Sequence, residues 1–212
     1  MRFRLAKLCD LDELVSIHYA MRYGQAVGIF SQLGKPFLRQ YYKIILADKN
    51  EIVVCAEDQH GNIQGFCSAT LDAEKQFLNL RKHKFSLGLS ALGSIIYKPS
   101  LLKALFLRYR STQNPQTSQY VTTKGARGEY WIWSPLNKDS ISALALYETY
   151  LSILQDLGVK ELNFEVDVAN ASVFRFHKKN GAELIETVIL SDSRERAFMR
   201  YALAHRNPKP GI

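Results

Sequence analysis

Residues 129–186 read EYWIWSPLNKDSISALALYETYLSILQDLGVKELNFEVDVANASVFRFHKKNGAELIE, and the reading of this stretch decides the fold. RGEYWIWSPL at 127–136 is a strand ended by Pro135, whose ring removes a ladder donor. From about Asp139 to Leu157 the chain is helical. Glu148, Thr149, Ser152, Gln155 and Asp156 form a polar stripe on an otherwise apolar cylinder, so most of this helix is expected to be buried. Gly158 stops it, KELNFEVDV at 160–168 is a strand, and Asn170 caps a helix that ends near Gly181. ELIETVIL and RAFMRYAL then close the chain as two strands.

Working back from that core, RFRLAK at 2–7 alternates like a short strand. Asp10 stands where an N-cap opens a helix with Leu11, Leu14, Val15, His18 and Met21 on its apolar face. A second helix runs from about Pro36 to Ala47. EIVVCAEDQ and NIQGFCSATLD form a hairpin around His60-Gly61-Asn62, which with a tight turn sets Cys55 roughly opposite Cys67. Two small buried apolar side chains are the ordinary reading of that pair, ahead of a redox couple. Residues 73–111 are helical and amphipathic, broken at Pro99, and 112–126 form a polar loop. The element order is that of an α/β fold: a mixed central sheet flanked by helices, with an inserted basic helical segment. It is expected as one domain over residues 1–206, with 207–212 as a flexible tail.

The 212 residues carry 28 Lys+Arg against 20 Asp+Glu, a net charge of +8, but residues 73–111 hold eight basic residues and a single acid, Glu74. Seven of the eight net charges therefore belong to the insert, and the rest of the chain is close to neutral. That distribution, the lack of a recognition motif and the lack of aromatic interleaving argue against a nucleic-acid binder. Three uses are open for the charge: attracting an anionic acceptor, touching anionic lipid as a peripheral contact, or meeting a partner; a solvated helix face is the ordinary alternative. The longest charge-free piece, Phe85 to Tyr97, has 13 residues. That is short of the roughly 20 a membrane span needs, so a helical hairpin over the sheet or an interfacial element is expected. Three cysteines without metal spacing and an amino terminus unlike a signal peptide indicate a cytoplasmic protein, and no metal site is expected.

No P-loop, dinucleotide fingerprint or G-x-S-x-G elbow is present. The feature that can carry chemistry is a strand running into a helix that begins Asn137, Lys138, Asp139, Ser140, because free N–H groups at a helix start favour an anion.

Residues 129–186, and most specifically G-V-K-x-L-x-F-E-V-x-x-x-N-x-x-V-x-x-F-H-K-K-x-G-A at 158–182, resemble the acetyl-coenzyme A binding core of the GNAT (general N-acetyltransferase) superfamily. The resemblance implies a GNAT-like sheet and an N-acetyltransferase using acetyl-CoA as co-substrate on a primary amine of a small acceptor. It implies that main chain near Trp133 and Ser134 holds the pantetheine arm and that the helix start at Lys138, Asp139, Ser140, Ile141, Ser142 and Ala143 holds the pyrophosphate. Ile141 departs from the family's glycine. Either Ser140 and Ser142 compensate, or coenzyme binding is weak or absent and the chain is a non-catalytic binding module. Asn170 matches the family's asparagine. His177 stands where a tyrosine often protonates the leaving thiolate, a role an imidazole with a pKa of about 6.5 can fill.

Glu129 is the family-placed carboxylate to deprotonate the amine, ahead of Asp72 and Glu57. Tyr23, Phe30, Ser31 and Gln32 border the acceptor cleft by the same analogy. The run FSQLGKPFLRQYY at 30–42 and the insert after SATLD further resemble a subgroup associated with surface-polysaccharide biosynthesis, implying an amino sugar or its nucleotide-linked form as acceptor.

Overall fold

The structure, a computed structural model, describes residues 1–22, 28–103, 105–106, 124–189 and 194–206, with Tyr23 described in its backbone alone. The strands are β1 (Arg2–Leu5), β2 (Glu51–Glu57), β3 (Ile63–Thr70), β4 (Arg127–Trp133), β5 (Glu161–Asp167), β6 (Glu183–Ile189) and β7 (Glu195–Ala202). They form one sheet in the order β1-β2-β3-β4-β5-β7-β6. Every neighbouring pair is antiparallel except β4 and β5. The helices are α1 (Leu11–Ala20), α2 (Ile29–Gln32), α3 (Gly34–Ala47), α4 (Ala73–Lys82), α5 (Lys84–Tyr97), α6 (Ser140–Asp156) and α7 (Ala171–Lys179).

Alternation of side chains across the strands gives the sheet two cores. On one face Leu162, Phe164, Val166, Ala197, Met199 and Tyr201 meet Leu146, Tyr147, Tyr150, Leu151 and Leu154 of α6. On the other, Val53, Cys55, Phe66 and Ile132 meet Leu14 and Val15 of α1 and Leu38, Tyr41, Tyr42 and Ile45 of α3. The helix α6 thus buries the apolar cylinder expected of it, and Gly158 ends it at φ +81°. The expected mixed α/β sheet with a helical insert is the observed architecture.

Three local expectations are corrected. Asp10 occupies the residue before α1 but does not cap it: its carboxylate accepts from the Arg4 guanidinium at 2.7 and 2.9 Å and from the Lys7 N–H at 2.7 Å. The paired charge outcompetes the cap and ties β1 to α1. Cys55 lies opposite Phe66 and Cys67 opposite Val54, a register fixed by the turn after Asp58 and by an irregularity at Ala56/Glu57. One residue of offset places the two thiols on opposite faces, in different cores. Within the described part of the insert, α5 packs chiefly on α3 and not on the sheet, with Ser94 Oγ donating to the Leu33 carbonyl at 2.8 Å and Lys98 Nζ donating to Gln32 Oε1 at 2.9 Å. The 112–126 loop, the end of the insert and the tail lie at least partly outside the described residues.

Gly65 shows how tightly the β3–β4 pair is built. A Cβ there would lie 2.4 Å from the Trp133 ring and 2.8 Å from the Ile132 carbonyl oxygen. Gly65→Ala is therefore expected to destabilise by about 1–3 kcal/mol in a urea titration. Gly88→Ala, in open space on α5, is expected to stabilise by about 0.5–1 kcal/mol in the same measurement.

Candidate functional site

The parallel junction is where the sheet opens. β4 and β5 pair at one position, Arg127 with Asn163, closed by the Asn163 N–H donating to the Ala126 carbonyl at 3.2 Å. Against β3, Ser68 pairs with Tyr130 and Ala69 with Gly128, so Glu129 is an extra residue on β4. A bulge of this kind bends the strand that carries it. At the apex the chains are close: a Cβ on Gly128 would meet Phe164 Cβ and the Tyr150 hydroxyl, both at 3.3 Å. Beyond it, Trp131 fills the gap with its ring centroid 4.6 Å from Tyr147, 5.0 Å from Phe176 and 5.9 Å from His177.

The splay frees main chain. The Ser134 N–H turns to β3, donating to the Gln64 carbonyl at 2.8 Å. Strand alternation therefore turns the N–H of Trp133 toward the β5 side, where the ladder has no partner for it. The Trp133 indole N–H is also buried without a hydrogen-bond partner among the described residues. A main-chain donor turned into the splay fits an extended ligand with amide acceptors, such as a pantetheine arm. Of the two residues expected there, Trp133 has groups to offer, while Ser134 is tied into the turn, its carbonyl accepting from the Asn137 N–H at 3.1 Å.

The start of α6 is arranged differently from the expectation. The Asp139 carboxylate accepts from the Ser142 N–H at 2.9 Å, its pKa lowered by bonds to Ser142 and to the Ile141 N–H. The Ser140 N–H donates to the Lys138 carbonyl and the Ala143 N–H to the Asp139 carbonyl. The donors of this helix end are thus already taken, with an anion among them. Ile141 is 63% exposed and Lys138 is exposed. A pyrophosphate would have to displace the Asp139 cap, so the expected pyrophosphate cradle is not preformed. Asn170 is likewise a cap, accepting from the Val173 N–H and from Ser172 Oγ at 3.1 Å.

His177 is buried. Its Nδ1 is 3.0 Å from the Tyr201 hydroxyl, and Phe164, Tyr147 and Phe176 surround the ring. Desolvation lowers its pKa to about 4, so the imidazolium expected near neutrality is absent. His18 repeats the arrangement on the other face, 2.7 Å from the Tyr42 hydroxyl and also lowered to about 4 by burial.

Glu129 belongs to that second face. Its carboxylate accepts from Arg127 at 2.6 and 2.9 Å and from the Tyr41 hydroxyl at 3.0 Å. Arg127 also donates to Gln76 Oε1 at 2.6 Å, and Gln76 Nε2 donates to Glu51 Oε2 at 3.0 Å. Burial and the charge of Glu129 push the Glu51 pKa up to about 8. Sequence reading missed Glu51, Gln76, Arg127 and Tyr41; the available signal was three charged residues at the ends of strands that are otherwise apolar.

The two weaker carboxylates have structural partners. Glu57 binds Arg4, and Asp72 caps α4 through the Lys75 N–H. Phe30 packs edge-on against Phe37 and Tyr41, each at 5.0 Å, Ser31 is buried, and Gln32 holds Lys98. The side chain of Tyr23 lies outside the described residues. The structure therefore joins Phe30 to Glu129 through Tyr41, and sets His177 on the opposite side of the sheet from both. A hollow of about 530 Å³ lined by Lys124, Glu161, Asn163 and Arg200 lies at the paired ends of β4 and β5, and none of the expected site residues line it. Among the described residues no group of His, Cys, Asp and Glu could hold a metal ion.

The splayed mixed sheet with this element order is the GNAT fold. Solved structures agree over nearly the whole chain. A ribosomal-protein-alanine N-acetyltransferase from Brucella melitensis superposes with a TM-score of 0.60 at 13% identity, covering 95% of this chain and 99% of its own. An N-acetyltransferase from Staphylococcus aureus Mu50 gives 0.61 at 14%, covering 95% and 98%. YncA from Salmonella typhimurium, solved with its cofactor acetyl-CoA, gives 0.60 at 11%, covering 100% and 99%. No family model and no curated protein sequence matches the chain.

Among the described residues, His18, His177 and Glu51 have shifts that act between pH 4 and 8. Below pH 6.5 the unfolded imidazoles of His18 and His177 bind protons that the native ones refuse until about pH 4. Acidification is therefore expected to cost about 3 kcal/mol for each. Glu51 acts the other way: its native pKa is raised from 4.5 to about 8, so its contribution is full below 4.5 and is lost as pH rises through 8. Two histidines outweigh one glutamate below pH 6.5, and above it only the glutamate acts. Chemical denaturation across pH is expected to show maximal stability near pH 6.5, and Glu51→Gln is expected to remove the alkaline decline.

Proposed function

We propose that the chain is an acetyl-coenzyme A dependent N-acetyltransferase acting on a primary amine of a small acceptor. The single observation that carries this reading is the β4–β5 splay, with the Trp133 main-chain N–H turned to its β5 side. Acetyl-CoA supplies a thioester whose carbonyl carbon the amine attacks, the C–N bond forming as the C–S bond breaks. Trp133 holds the pantetheine amides, and Lys138 with the hydroxyls of Ser140 and Ser142 meets the phosphates once the Asp139 cap gives way. Glu129, held by Arg127 and Tyr41, attracts the ammonium form of the acceptor and takes its proton. His177 hydrogen-bonds the leaving sulfur as a neutral N–H donor, fixed by its bond to Tyr201, and the proton shed by the newly acetylated nitrogen passes to the departing thiolate.

The acceptor side borders α2, where Lys98 of the insert reaches Gln32, and a basic neighbour suits an anionic acceptor such as a nucleotide-linked amino sugar. Such an acceptor also accords with the resemblance to a surface-polysaccharide subgroup.

A second reading, a non-catalytic binding module, is favoured by one observation: the α6 start is closed by its own carboxylate. Isothermal titration with acetyl-CoA separates the two. Binding at micromolar to sub-millimolar ligand is expected for the enzyme, and no heat at millimolar ligand rejects it. Asp139→Asn keeps a good cap while removing the charge, so it is expected to tighten coenzyme binding several-fold in the same titration. His177→Phe is expected to lower turnover about tenfold or more with coenzyme affinity nearly intact; an unchanged rate rejects its role as donor.

A further inference from the structure

The helix α5 is apolar on two opposite sides. Toward α3 it turns Leu87, Ala91 and Ser94, of which Ala91 is buried and Ser94 is bonded to Leu33. At about 100° per residue, Phe85, Leu89, Leu92 and Ile96 fall within an arc of about 60° on the other side. They are 81%, 72%, 47% and 77% exposed. Tyr97 before Pro99, and Leu102 and Phe106 after it, are exposed as well. A helix normally turns one apolar stripe inward and a polar one outward, so a second apolar stripe indicates a second apolar surrounding.

The charge around the stripe identifies that surrounding. Arg81 and Lys82 close α4, Lys84 begins α5, and Lys98 and Lys103 follow its end. No Asp or Glu occurs from Lys75 to Gly128. Apolar side chains bordered by lysines of one sign match an anionic bilayer: the rings and branched chains enter the headgroup boundary while the ammonium groups stay among the phosphates. A second copy of the chain would bring two such basic rims together and is opposed by their repulsion. Crossing the bilayer is a different matter. Among the described residues no helix is long and apolar enough, and the 14 residues of α5 span only about 21 Å of a hydrocarbon layer about 30 Å thick.

We propose that α5 lies flat on an anionic phospholipid surface, with Phe85, Leu89, Leu92 and Ile96 inserted and Lys82, Lys84 and Lys103 at the phosphates. The proposal is independent of acetyl transfer, since its readout is membrane binding. In flotation, the full chain is mixed with phosphatidylcholine vesicles or with vesicles containing about one-third phosphatidylglycerol. It is expected to rise with the anionic vesicles at low salt, several-fold less at half-molar salt, and not with phosphatidylcholine alone.

The double variant Phe85→Ser/Ile96→Ser removes side chains that are almost wholly exposed. It is expected to melt like the parent and to float about tenfold less. Protein that stays at the bottom with anionic vesicles overturns the proposal, and so does a double variant that floats as well as the parent, which would leave charge alone at work. Light scattering that finds a dimer abolished by the double variant assigns the stripe to a second copy and also overturns it. The wild-type arms need no variant, so a misfolded variant leaves the test decisive.

Discussion

Two parallel strands that meet at one residue and then part impose the constraint on which this structure depends. Backbone N–H and C=O groups in a sheet must be paired, and β4 and β5 forgo that pairing after Arg127 and Asn163. The junction persists because each side is held elsewhere. β4 is laced to β3 along Gly65 to Thr70, with the Trp133 ring laid over Gly65. β5 is laced to β7 along its full length. Gly128 lets the strands touch at the apex, the extra residue at Glu129 turns β4 aside, and Trp131, Tyr147, Phe176 and His177 keep the wedge from closing. A sheet left unfinished in this way turns main-chain groups of β4 toward a strand that does not pair with them.

The two faces of the sheet divide the chemistry. On the α6 face the wedge is aromatic and dry, and it strips His177 of its charge. On the α3 face a chain of bonds runs from Tyr41 through Glu129, Arg127 and Gln76 to Glu51, and burial leaves Glu51 with a proton near neutrality. Removing Arg127 alone would leave Glu129 buried without its counter-charge, which costs more than the pair contributes when intact. The network reads as a unit, and Glu129 cannot be treated as an isolated base.

Much of the fold was legible because its signals are local. The apolar cylinder of α6, Gly158 after it, the Pro36 helix and the hairpin at Gly61 each follow from residue types at fixed spacing. What was not legible depends on register and on partners far away in sequence. Nothing near Asp10 says that Arg4 will take its carboxylate, and the offset of one residue between Cys55 and Cys67 is set by a turn and an irregularity together. The candidate site divides along the same line. Glu129 and Trp133 are strand residues whose positions follow from the motif, but a chemical state such as the neutrality of His177 or the proton on Glu51 arises from burial that only the assembled cores create. The occupied start of α6 was open to reading, since Asp and Ser at a helix start are more often ordinary caps and Asp139 takes the Ser142 N–H as one.

The hairpin register also settles the redox character of the protein. Cys55 and Cys67 stand near each other in the β2–β3 ladder yet project into different cores with the sheet between them, and both thiols are buried. Burial pushes the Cys55 pKa up to about 11 and that of Cys67 well above its ordinary value, so neither forms the thiolate that disulfide exchange requires. Cys9 is exposed. An oxidant or an alkylating probe meeting the folded chain therefore encounters one thiol, and the folded state can be modified at a single defined point without disturbing either core.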